Sequence, residues 1–128
     1  MSFSSPISLP ELTVPHTLQV VRLYDDTAAT NVLVPSASGK RVYVVGLLLF
    51  VNGATDLKFQ SYNGTVNTPI DGSWGFGSSG GQVSIQKPDG DPNRTRIFPH
   101  LMTNVGEALV LQNSNSVRLG GSIFFFQQ

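Results

Sequence analysis

Cysteine is absent from the 128 residues, which excludes a disulfide framework, a thiolate nucleophile and the usual structural zinc sites. Charge is scarce as well. Only 12% of residues are charged and the formal net charge is +0, so no long-range field draws the chain to nucleic acid or to an anionic membrane. Neither is expected as a partner. The histidines are His16 and His100, each directly after a proline, and both read as turn or surface side chains rather than as a general base. The most apolar run, residues 42–51, is about half the length of a membrane helix; it reads as a buried strand. Residues 1–15 contain no Lys or Arg and are interrupted by Pro6, Pro10 and Pro15, unlike an export signal.

What the chain does contain is punctuation and β-formers. Thirteen glycines and eight prolines separate short runs rich in Val, Ile, Phe and Tyr, as an antiparallel all-β domain requires. A chain of this length buries about 65–70% of its unfolded surface, enough for one core. The fold expected is a single antiparallel β-sandwich over residues 17–128, with a jelly roll among the strand orders the hairpin signals leave open. Strands are expected over residues 18–24, 31–34, 40–51, 56–62, 82–86, 95–98, 108–112 and 117–126. In 56–60, alternation turns Leu57 and Phe59 inward and Asp56, Lys58 and Gln60 to water. The runs 44–51 and 123–126 do not alternate, so both of their faces need cover from this chain or another subunit. Asn52-Gly53, Asn63-Gly64 and Asp71-Gly72 suit tight hairpins between adjacent strands. The Gly- and Ser-rich stretch 71–81 carries Trp74 and Phe76 and reads as a loop whose aromatics dock.

Residues 1–16 are expected to form a separate, extended arm. Prolines there alternate with Phe3, Ile7, Leu9, Leu12 and Val14, and proline blocks both helix and ladder. Such a segment either frays, as termini commonly do, or lays its apolar side chains along this or a neighbouring subunit.

No constellation for chemistry emerges, and neither an enzyme nor a cofactor is expected. Gly75-Phe76-Gly77-Ser78-Ser79-Gly80 has the letters of a dinucleotide fingerprint but no helix pattern after it. Asp89, Asp91 and Asn93 open like a calcium loop, yet Arg94 replaces the turn glycine and His100 stands where the closing glutamate belongs. Trp74, Phe76 and Tyr62, near Asn63, Asn67 and Asp71, are a candidate platform for stacking a sugar.

From residue 38 onward the chain resembles a loose group of small β-sandwich proteins encoded among the structural genes of tailed phages, including head decoration or cement proteins. The resemblance lies in Ser38-Gly39-Lys40 before the long apolar strand, Asp56-Leu57-Lys58-Phe59-Gln60-Ser61 with Asn63-Gly64, and Gly80-Gly81. Thr103-Asn104-Val105-Gly106-Glu107-Ala108-Leu109-Val110-Leu111 and Gly120-Gly121-Ser122-Ile123-Phe124 continue it. The insertion 86–98 and the arm lie outside the pattern. The resemblance implies an accessory protein made in the host cytoplasm, bound to the capsid surface of the virion as an oligomer, often a trimer, and reinforcing joints of the major capsid protein lattice. It implies no catalytic residues. Joined to the two-faced apolar runs, it places Ile123, Phe124, Phe125 and Phe126 at the oligomer contact, where Phe125→Asp is expected to break the assembly. A tail or fibre module binding host glycan through Trp74, Phe76 and Tyr62 is the alternative.

Overall fold

The computed structural model describes residues 12–13, 19–85, 96–97 and 101–128. Among them there is no helix, and every strand pairing is antiparallel. β1 (Leu12–Thr13) and β9 (Arg96–Ile97) form a short ribbon, Leu12 opposite Ile97.

The remaining strands make two packed sheets. The first runs β2 (Gln19–Asp25), β12 (Leu119–Gln127), β4 (Val42–Val51), with β8 (Gly81–Ile85) and β10 (Leu101–Met102) sharing the far edge of β4. The second runs β3 (Ala29–Val34), β11 (Ala108–Asn113), β5 (Thr55–Tyr62), with β6 (Asn67–Pro69) and β7 (Trp74–Phe76) sharing the far edge of β5. The chain changes sheet from β2 to β3, β3 to β4, β4 to β5, β7 to β8, β10 to β11 and β11 to β12. That order is a jelly roll, one of the sandwich orders left open by the sequence.

Consequently two of the three turn dipeptides do not close hairpins. Asn52-Gly53 carries the chain across from one sheet to the other, and Asp71-Gly72 joins two strands that each pair with β5. Asn63-Gly64 does close the β5–β6 hairpin. Gly64 takes a φ of 97°, and the Asn63 side-chain oxygen accepts from the Thr65 and Val66 amides at 2.8 and 2.7 Å. The aromatics of 71–81 dock as a strand, with Trp74 opposite Leu57. Trp74 meets the buried Phe59 edge to face, ring centroids 5.2 Å apart.

The core lies between the sheets, where Leu23, Leu47, Leu49, Ile123 and Phe125 of the first face Leu57, Phe59, Leu109 and Leu111 of the second. The missing alternation of 44–51 has a local cause only at its start; from Leu47 onward Leu48 and Phe50 stand outward, and the run is apolar on both faces. Phe124 pairs with Gly46 but Phe125 with Val44, so Val45 is an extra residue, a β-bulge that reverses the parity of β4. Val42 and Val44 before it and Leu47, Leu49 and Val51 after it thus all enter the core. Gln60, expected in water, is buried. Its row is closed by Val110 of β11 on one side and Pro69 of β6 on the other.

At the open side of the sandwich, Asp25 ties β2 to β3. Its carboxylate accepts from the Thr27 amide and hydroxyl at 3.1 and 3.0 Å and from the Asn31 side chain at 2.7 Å. Burial pushes the Asp25 pKa up, but the bonds from Thr27, Asn31 and the Asp26 backbone outweigh it and hold the group below its ordinary value. A depressed carboxylate stabilises the fold above its unfolded pKa, and that contribution is lost as pH falls through the folded one. Asp25→Asn should therefore be less stable than the parent at pH 7, with the gap closing below about pH 4. Urea titrations of both proteins across that range check it; a gap independent of pH would contradict the assignment.

Candidate functional site

The outward face of the first sheet is unusually apolar for a face away from the core. In register across β2, β12 and β4 it presents three rows. Val20, Phe124 and Gly46 form one row, Arg22, Ser122 and Leu48 the next, and Tyr24, Gly120 and Phe50 the third. Val20 and Phe50 are each 46% exposed and Tyr24 is 74% exposed. Beyond the bulge, Tyr43, Val45, Phe124 and Phe126 pack together on the same outward side, with Val45 and Phe126 buried.

This divides the expected contact residues. Ile123 and Phe125 belong to the core between the sheets; their side chains are already buried within one chain and cannot form a subunit contact. The reason is parity: along β12, residues 119, 123 and 125 point inward, leaving Phe124 and Phe126 on the outward side. The outward side of the apolar runs is covered only in part within one chain: Val45 and Phe126 are buried, whereas Phe50 stays exposed.

The three aromatics of the sugar platform are not brought together. Trp74 and Phe76 lie on the core side of their sheet, opposite Leu57 and Thr55, and pack against the core. The Trp74 indole N–H donates to Asp71 at 3.3 Å. Tyr62 is on the other parity of β5, opposite Asn67 and about 17 Å along the strand from Leu57. Edge packing and sheet parity separate them.

Phe3, Ile7, Leu9, Val14, His16, His100 and the aspartates of 86–95 lie outside the described residues, as does the side chain of Leu12. Among the described residues no group of three His, Cys, Asp or Glu is placed to hold a metal ion, and no helix is long and apolar enough to cross a membrane.

At one end of the outward face an open groove of about 520 Å³ lies between Tyr24 and Phe50. Its floor is Gly120, and Arg118, Asn52 and Gln82 stand at its rim. Sequence reading missed these residues because positions 24, 50 and 120 meet only through strand register. The one local signal was Val20, Arg22 and Tyr24 alternating with Val21 and Leu23. Set against known proteins, the chain matches no family and no curated sequence.

Proposed function

We propose that this protein is a structural component of a phage virion, a decoration or cement protein that binds and stabilises the major capsid protein lattice as an oligomer, by the resemblance a trimer. The observation that supports this reading is the apolar outward face of the β2–β12–β4 sheet, on which Val20, Leu48 and Phe50 stand where a solvated sheet carries polar side chains. Contiguous apolar surface of this kind marks an interaction site. A shallow sheet face, in a chain of low charge, suits attachment by shape and apolar burial.

Co-sedimentation with undecorated phage heads, with light scattering of the free protein, tests it. The parent should sediment with the heads and scatter as an oligomer. Val20→Glu, an outward substitution, should remain folded and lose at least about tenfold in head binding, roughly 1.4 kcal/mol. Failure of the parent to bind heads, or unaltered binding by the variant, would reject the reading.

A further inference from the structure

The groove between Tyr24 and Phe50 is built around a glycine that the backbone does not require. Gly120 is not among the positive-φ glycines, and a Cβ there would meet only the Leu23 carbonyl oxygen, at an ordinary 3.6 Å. Its neighbour Gly121 is a different case, fixed by φ 143° and by the Leu48 carbonyl. What the absent side chain at 120 does is leave a slot between two aromatic residues on the flanking strands.

The width of that slot follows from the sheet. Tyr24 and Phe50 are both opposite Gly120, so their Cα atoms are two strand spacings apart, about 9.5 Å. A flat ring touching an aromatic on each side occupies about 7 Å, two van der Waals contacts. That spacing leaves room for one ring between Tyr24 and Phe50.

The rim narrows the chemistry of that ring. Arg118 lies one outward position beyond Gly120, beside Asn52, whose amide donates to the Arg118 carbonyl at 2.9 Å. Among the described residues no hydrogen bond or ion pair engages the Arg118 guanidinium, leaving its donor fork for a carboxylate. Asn52 and Gln82 add side-chain amides that pair with hydroxyl groups in either sense. An acidic sugar meets this set: a ring with apolar faces, several hydroxyls on its edge for the two amides, and one carboxylate for the guanidinium.

We infer that the Tyr24–Gly120–Phe50 slot binds a hexuronic acid unit of a glycan, its ring stacked between the two aromatics and its carboxylate on Arg118. This goes beyond the capsid reading and does not depend on it, because the slot is complete within one chain.

Calorimetry of the full chain with trigalacturonate, and with the same trisaccharide fully methyl-esterified, tests the inference. The acid should bind with a dissociation constant of about 1 mM or tighter, and the ester at least about fivefold more weakly. Gly120→Leu should fill the slot and abolish binding at an unchanged melting temperature. Tyr24→Ala, at an exposed position that the fold does not need, should weaken binding about tenfold. Arg118→Gln should erase the difference between acid and ester. Absence of binding by the parent, or binding that survives both Gly120→Leu and Tyr24→Ala, overturns the inference. So does a dimer in light scattering that Gly120→Leu dissociates, since the occupant would then be a second copy of this chain. Head binding is read separately by Val20→Glu, two rows away from the slot on the same face.

Discussion

Gly121→Ala is expected to leave no folded protein. At φ 143° an L side chain is strained wherever it points, and here it points into the neighbouring strand. A Cβ would lie 1.9 Å from the Leu48 carbonyl oxygen and 2.8 Å from its carbon. Both are backbone atoms of β4, held in the ladder that pairs Gly121 with Leu49, so they cannot yield without opening the centre of the sheet. The cost should exceed about 4–5 kcal/mol, the upper range for single substitutions and comparable to the whole stability of a small domain. Gly120→Ala, one residue earlier, supplies the contrast. Its Cβ makes one ordinary contact, and the change should stay within about 1 kcal/mol, toward stabilisation through the unfolded chain. Circular dichroism with urea titration separates the two, and equal stability of the pair would refute the account of Gly121.

Phe125→Asp should also unfold the protein, which differs from what its place in an apolar terminal run suggests. Phe125 is 6% exposed and packed in the core between the sheets. Removing a buried phenyl group costs about 3–5 kcal/mol, and a carboxylate left without a partner among apolar side chains adds a desolvation cost of its own. The sum reaches the stability expected of the domain. The variant should lack a cooperative thermal transition at pH 7, whereas Val20→Glu on the opposite face should keep one. A folded Phe125→Asp would place that side chain outside the core and invalidate the assigned register of β12.

The contrast between those two positions shows what can be read from residues in order. Leu57 and Phe59 were legible because β5 is regular and alternation reports its faces directly. Val44 to Val51 was legible in part: the bulge at Val45 reverses parity within the strand, which residue order does not show, while the outward Leu48 and Phe50 do make the rest of the run apolar on both sides. Asn63-Gly64 was legible as a hairpin, since a tight turn is decided within its own residues. Asn52-Gly53 carries the same local chemistry, but whether β4 pairs with the next strand is decided by the sheet that strand joins, which is a property of the whole fold. The docking of Trp74 was foreseeable from its composition. Its strand was not, since Trp74–Phe76 is too short to show a period. The groove was least legible of all, because it exists only where three distant segments fall into register, and its floor is a residue with no side chain to notice.

The position of β12 has a consequence for how the chain reaches this structure. The last of the strands lies between β2 and β4, at the middle of its sheet. While the chain emerges from the ribosome, these two strands therefore have no partner along their inner edges, and unpaired apolar edges invite intermolecular pairing. β4 can pair with β8 and β10 earlier, but joining β2 to them must wait for β12, with the slow folding that distant pairings bring. Loss of the final strand should accordingly yield aggregates during synthesis rather than a slightly weakened sandwich, and any chaperone dependence of this protein would fall in that interval.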